Sequence, residues 1–356
     1  MTLSVREDTA EAETKNDINF KILWSFEVFY LIKKESIKMS NLQPIKLSPA
    51  FKDYLWGGTR LKSEFNKKSD LDIVAESWEL STHKDGESIV SSGEYKGFTL
   101  SQYIEKIGKD KLGKKALEFD YFPLLIKFID AKNNLSIQVH PDDEYALAKE
   151  GEYGKTEMWY ILDCEEGAYL YYGFNRTITK DEYEKRIAEN TLIEVLNKVE
   201  VKKGDVFFIP AGTVHAICSG IMICEIQQNS NTTYRVYDYD RRDANGNARP
   251  LHIRQAIEVS QLSPSPKQEG LKVISPDDKE LSACNYFTVR KIDVNGEKTV
   301  SFDDSSFRSF MIVEGCGELI VGDTTLEIEK GDSVFLPAQN TECVLKGNCE
   351  VILSYV

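Results

Sequence analysis

One nine-residue stretch occurs twice, and it restricts the fold more than any other feature. Lys203-Gly-Asp-Val-Phe-Phe-Ile-Pro-Ala211 and Lys330-Gly-Asp-Ser-Val-Phe-Leu-Pro-Ala338 lie 127 residues apart, with no gap inside the motif. Each copy reads as a Gly-Asp turn, a short strand and a Pro-led turn into the next strand. A single repeat at this distance signals a duplicated unit rather than a solenoid, and its hairpin logic suits a small antiparallel barrel or jelly roll. The copies diverge directly afterwards. The first continues Gly212-Thr-Val-His215, whereas the second has Gln339 and Glu342 at the positions of Gly212 and His215. If the histidine does chemistry, only the first unit keeps it and the second is structural. The bland alternative is two generic β-turns.

The rest of the chain fits a mainly β reading. Ser88–Ser91, Leu124–Ala131, Leu135–His140, Glu157–Asp163, Ala168–Tyr172, Asp205–Ile209, Met222–Gln228 and Thr233–Tyr237 are expected strands, with more after 285. Helical periodicity marks Leu100–Leu117, Thr179–Val199 and Leu251–Leu262. The second of these opens with Thr179 and Glu182, a capping-box pair. Ser263-Pro-Ser-Pro-Lys-Gln-Glu-Gly270 is a linker by composition. The expected organisation is an accessory extension over 1–38, a catalytic unit with helical segments over 39–262, and a second unit without ligands over 271–356. Met39, followed by Ser-Asn-Leu, is a candidate start for the domain.

Charge and cysteine content exclude several classes. Lys and Arg number 44 against 58 Asp and Glu, a net charge of -14. That argues against nucleic acid or an anionic membrane as the main partner. A small anionic substrate stays admissible, because a few placed cations can outweigh the global sign locally. The apolar stretch Phe20–Ile32 is too short to span a membrane, and the acidic residues before it do not suit a signal peptide. Seven cysteines with no Cys-x-x-Cys pair read as reduced thiols in a cytoplasmic protein.

The chain has four histidines, at 83, 140, 215 and 252. In Leu135-Ser-Ile-Gln-Val-His140 the alternation puts Gln138 and His140 on one face of a strand, about 7 Å apart. Glu157 opens another expected strand, and His215 follows the first repeat. Gln138, His140, Glu157 and His215 together offer two imidazoles, a carboxylate and an amide oxygen. Such a set suits a divalent ion such as zinc, with room for a water or substrate oxygen. The competing reading is that each is a hydrogen-bonded core residue. His83 and His252 have no ligand spacing and read as structural or exposed. Trp78 reads as core, and Asp238-Tyr-Asp-Arg-Arg-Asp243 as a solvated charge run. No phosphate-cradling Gly loop and no dinucleotide fingerprint is present.

These residues carry a resemblance. Gly204-x5-Pro210-x-Gly212-x2-His215 resembles the second cupin motif, with Ser219 where that motif usually has Asn. The first cupin motif is altered to Gln138-Val139-His140, with Glu157 seventeen positions beyond His140. Gln-x-His, a long spacer and Lys155-x-Glu157 are similar to the zinc-dependent type I mannose-6-phosphate isomerases, in their short bacterial form. Tyr54-Leu-Trp-Gly-Gly58, Phe122-Pro-Leu-Leu-Ile-Lys127, Pro210–Ala216 and the stretch from Glu225 through Asn229–Arg235 resemble further motifs of that family, in the same order.

The resemblance implies two cupin-type jelly-roll barrels with a small helical elaboration. It also implies one Zn2+ per chain and an aldose–ketose isomerase acting on a hexose phosphate. A Lewis-acid metal would stabilise charge on the oxygens of a cis-enediol. By motif position Lys155 and Glu225 are the candidate bases, and Arg235 stabilises the enediolate or helps ring opening. Lys127 alternates onto the face of Leu125 and Ile129. An inward ammonium without a partner is costly, which makes Lys127 a candidate substrate-binding residue. A cupin oxygenase and a non-catalytic sugar-phosphate-binding cupin are the alternatives.

Overall fold

The computed structural model describes residues 42–242, 245–265 and 271–356. The expected extension over 1–38, and residues 266–270 of the expected linker, lie outside the described residues. The architecture is mainly β. Leu124–Ala131 and Ile221–Gln228 are buried along their whole length, as their almost unbroken apolar runs require. They pair antiparallel at the middle of a six-stranded sheet. Glu157–Cys164 and Val206–Ile209 extend it on one side, Glu76–Leu80 and Ala50–Lys52 on the other. A second, five-stranded sheet runs Tyr234–Tyr237, Ile137–Val139, His215–Ile217, Tyr169–Phe174, Leu196–Glu200. Between the two sheets, Ile129, Trp159, Ile161, Leu170, Ile217 and Ile223 form one apolar core.

The repeat is reproduced bond for bond. In the first copy the Asp205 carboxylate accepts from Lys202 N at 2.9 Å, and the turn leads into Val206–Ile209. In the second, Asp332 accepts from Glu329 N at 2.9 Å, and the turn leads into Ser333–Leu336. Gly204 and Gly331 share a positive φ, 91° and 96°, the conformation that makes glycine the residue of choice there. The second copy belongs to a nine-stranded sheet built mostly after residue 271. Strand pairing crosses the linker, because Ile45–Ser48 pairs with Ser333–Leu336 and also with Ile89–Val90. Pro44–Val356 is one compact unit.

The helices are shorter than the periodicity suggested. Leu100–Ile107 has a full capping box between Thr99 and Gln102 and stops at Gly108. Two 3-10 turns, Lys109–Leu112 and Ala116–Glu118, replace the rest, with positive φ at Gly108 and Gly113. Lys180–Ala188 also ends early, at Asn190 with φ 56°. The chain then turns into the strand Leu196–Glu200. The expected capping box there is only half made. Thr179 accepts from Glu182 N, but the Glu182 carboxylate is taken by Arg176 and Arg186. No helix among the described residues is long and apolar enough to cross a membrane.

Candidate active site

The strand ladder explains why residues far apart in sequence meet. Gln138 lies opposite His215 on one side and Arg235 on the other. On the facing sheet, Glu225 lies opposite Lys127 and Trp159, and Lys127 opposite Trp78. Residues directly opposed across antiparallel strands share a face. The ladder therefore aims Lys127 and Glu225 together at the space between the sheets.

His140, Glu157 and His215 come together there, fully buried, with their donor atoms within 4.8 Å of one another. His215 Nε2 is 3.3 Å from Glu157 Oε1, and His140 Nε2 is 3.8 Å from the same oxygen. Both imidazoles are oriented from behind. His140 Nδ1 lies 2.9 Å from the Thr232 carbonyl and His215 Nδ1 2.8 Å from that of Thr213. A carbonyl only accepts, so each Nδ1 carries the proton and each Nε2 keeps its lone pair for the shared centre. Gly212 N donates to the His140 carbonyl at 2.8 Å, tying the turn of the first repeat to this ligand.

The electrostatics fit a cation. Glu157 Oε1 has no hydrogen-bond donor, nor is His215 Nε2 hydrogen-bonded. Buried polar atoms are rarely left so. Burial pushes the Glu157 carboxyl up, against the pull of Lys155. Burial, then Lys155, hold His140 well below the usual imidazole range, and burial brings His215 down to about 4. A divalent ion would reverse the first shift and is matched by the second, since it needs an ionised carboxylate and neutral imidazoles. Lys155 Nζ lies 2.8 Å from Glu157 Oε2 and 3.1 Å from His140 Nε2. The donor set accommodates a metal, with Gln138 as the neighbouring amide.

A cavity of about 280 Å³ is walled by Gln138, Lys155, Lys127, Glu225, Glu76, Tyr54 and Arg235 among others, and it adjoins the triad through Lys155, which contacts both Glu157 and His140. A larger hollow of about 420 Å³, near His83 and Tyr153, has none of these residues in its wall. Chemistry rather than size locates the site. Lys127 is buried, but its charge is met by Glu225 at 3.2 Å and Glu76 at 3.7 Å. The premise of an unpartnered ammonium therefore does not hold, and what recommends Lys127 is its place on the cavity wall. Burial alone would raise Glu225, but Lys155 and Lys127 overcome it and bring the carboxyl down to about 2. Its Oε2 accepts from the Trp159 indole at 3.1 Å.

Arg235 pairs with neither Asp238 nor Asp240. It donates to the Pro250 carbonyl at 3.1 Å, and its Nε is buried without a hydrogen bond. Two readings of the sequence are corrected nearby, and one residue it did not single out joins them. Asp238 is buried rather than part of a solvated run. His252 lines the cavity and accepts from Arg235 N at 3.2 Å. Arg249, with no motif to announce it, lines the same wall. Trp78 is core, as expected, with no exposure.

Comparison with known proteins agrees with this geometry. The type I phosphomannose isomerase catalytic domain matches residues 45–167. The mannose-6-phosphate isomerase cupin domain matches 277–356. The chain is 42% identical over 318 residues to the mannose-6-phosphate isomerase ManA of Bacillus subtilis (strain 168), covering 88% of this chain and 99% of that one. It is 37% identical to the mannose-6-phosphate isomerase of Streptococcus mutans, covering 88% of this chain and 98% of that one. A crystal structure of the mannose 6-phosphate isomerase from Bacillus subtilis superposes with a TM-score of 0.81 at 40% identity, over 88% of this chain and 99% of that one.

Proposed function

The chain belongs to the type I phosphomannose isomerase family, and from that premise we propose how its residues divide the work. The protein is an aldose–ketose isomerase that interconverts mannose 6-phosphate and fructose 6-phosphate. Its chemistry moves one proton between C2 and C1 through a cis-enediol. The family is metal-dependent. We assign His140, Glu157, His215 and Gln138 as the ligands, and zinc as the ion their donor set suits. When bound, the metal supplies Lewis-acid polarisation of the sugar oxygens.

The remaining roles follow from charge and position. Glu225, held ionised by Lys127 and Lys155, is set to accept a proton. Lys155, ion-paired with Glu157, is set to donate one to a sugar oxygen. Arg235, with no carboxylate ion pair among the described residues, stabilises developing negative charge. Lys127 fixes Glu225 and presents a cationic wall to the substrate. Free cysteines suit a reducing compartment, so we place the reaction in the cytoplasm. The buried His140–Glu157–His215 triad, joined through Lys155 to a charged cavity, carries this reading. The test is turnover of mannose 6-phosphate to fructose 6-phosphate by purified protein, before and after chelation and zinc return. No turnover by metal-loaded protein would sink it.

A further inference from the structure

We propose that Arg249 binds the phosphate of the substrate and that Asp238 is its positioning residue. The proposal rests on the isomerase reading above and deepens it. The observation is a cluster on the cavity wall. Arg249 donates to Asp238 through two bonds, Nε to Oδ2 at 2.8 Å and Nη2 to Oδ1 at 2.7 Å. Arg241 closes on the same carboxylate and on the Asn134 carbonyl. Asp238 is 6% exposed, whereas the Arg249 side chain remains 31% exposed and faces the cavity beside Arg235 and His252. The nearby Asp240 is taken by Arg242. Two guanidiniums thus share one carboxylate, and Arg235 lines the same cavity without a carboxylate ion pair among the described residues, a formal surplus of two positive charges in a chain whose net charge is -14.

The carboxylate cluster of the same site has the opposite deficit. Glu76, Glu157 and Glu225 face Lys127 and Lys155, which leaves one formal negative charge and suits a cation. A site with a net negative cluster at Glu76, Glu157 and Glu225 and a positive one at its arginine wall suits a ligand that needs a cation at one end and carries a phosphate of about -1.5 to -2 at the other. The bidentate clamp matters because an arginine pre-set in its plane loses less freedom when it meets a second anion. Asp238 leaves Nη1 of Arg249 outside the two bonds that hold it. Arg241 does not line the cavity and acts only through Asp238.

The experiment compares wild type, Arg249→Gln, Arg249→Lys and Asp238→Asn. It measures kcat and KM for mannose 6-phosphate, the competitive inhibition constant of inorganic phosphate, bound metal and the urea unfolding midpoint. In Arg249→Gln, both KM and the phosphate constant should rise about 10- to 100-fold, the range of a lost charge-assisted hydrogen bond, with metal retained and kcat within a few-fold. Arg249→Lys keeps the charge and loses the fork, so a several-fold rise in both is expected. Asp238→Asn should shift the same two constants in the same direction with metal retained.

Wild-type values of KM and the phosphate constant in Arg249→Gln overturn the proposal. So does a KM rise with an unchanged phosphate constant. If Arg249→Gln loses its unfolding midpoint, Arg249→Lys decides, and unchanged constants in it overturn the proposal. If the wild type does not turn over mannose 6-phosphate, the isomerase reading fails separately. Calorimetric binding of inorganic phosphate to wild type and Arg249→Gln then tests the arginine alone, and equal binding, or none to wild type, overturns it.

Discussion

The two copies of the repeat allow the same substitution to be made twice in one chain, Gly204→Ala and Gly331→Ala. Both glycines sit at φ near +90°, where an added Cβ costs about 1–2 kcal/mol in backbone strain. Part of that, about 0.4–1 kcal/mol, is returned by the stiffer unfolded chain. Each variant should therefore lose about 1 kcal/mol from this source. The surroundings differ. A Cβ on Gly204 meets nothing within 4 Å, whereas one on Gly331 would lie 2.1 Å from the backbone oxygen of Phe65. Backbone cannot swing aside as a long side chain can, so Gly331→Ala should carry a further overpacking cost of about 1–3 kcal/mol. Its displacement would also pull on the Gly331 carbonyl, which accepts from the buried Lys67 at 2.5 Å, and on the Lys67–Glu79 ion pair at 2.6 Å. The measurement is urea unfolding of both metal-loaded variants, followed by tryptophan fluorescence. Equal losses within about 0.5 kcal/mol, or a larger loss in Gly204→Ala, would refute the claim that the second turn is a packed contact and the first is not.

Three further outcomes follow from the site. His215→Ala should purify without bound metal while remaining folded by circular dichroism, and full metal content in it would remove His215 from the ligand set. Arg235→Ala should keep its metal and lose about 10²- to 10³-fold in kcat, the scale of a lost charge-stabilising donor; undiminished activity would exclude the role. In metal-stripped protein Glu157 has a folded pKa raised by burial to about 8, so its protonated form stabilises the fold at low pH. That contribution is lost as pH rises through about 8. The urea midpoint of stripped wild type should then fall between pH 5 and 9 relative to Glu157→Gln, and the difference should vanish when metal is returned. Parallel pH profiles in the stripped proteins would count against an ion-shaped site.

What could be read from the sequence is what a β-ladder preserves. Alternation along a strand fixes the face of a residue, and motif order fixes which strands are neighbours. Gln138, His140 and Lys127 were placeable for that reason, and Glu157, His215 and Glu225 through their motifs. What could not be read depends on loops and helix ends. Arg249 reaches the cavity because Asp238 holds it from eleven residues away, a contact with no period and no motif. His252 precedes the helix Ile253–Val259 and donates its backbone N–H to Arg235 O at 2.8 Å, again without ligand spacing. Thr179 and Glu182 show how local rules lose to nearby charge. The box geometry was available, yet two arginines outbid a backbone N–H for the same carboxylate. Lys127 shows a different gap. Its inward face was legible, but Glu76 lies on another strand, so its second partner was not.

The divergence of the two copies has a physical reading that reaches beyond the missing histidine. Their turns are alike inside, with the same aspartate accepting from the same relative backbone N–H, so the difference lies in what docks on the outside. The first turn runs on to Gly212, which clamps His140, and to His215. Around the second, Lys46 pairs with Asp332 at 2.7 Å, and Ser333 donates to the Glu79 carbonyl at 3.1 Å. The strand that follows pairs with Ile45–Ser48, so the sheet built after residue 271 borrows a strand from before the site. Cutting the chain at the linker would leave Ser333–Leu336 with an unpaired edge, which invites association with another chain. It would also strand Lys67 and Glu79 without the Gly331 carbonyl. Glu79 shares its strand with Glu76 and Trp78, two residues that hold Lys127 in place. The copy that lost its histidine thus braces, through Lys67 and Glu79, the strand that carries part of the cavity wall.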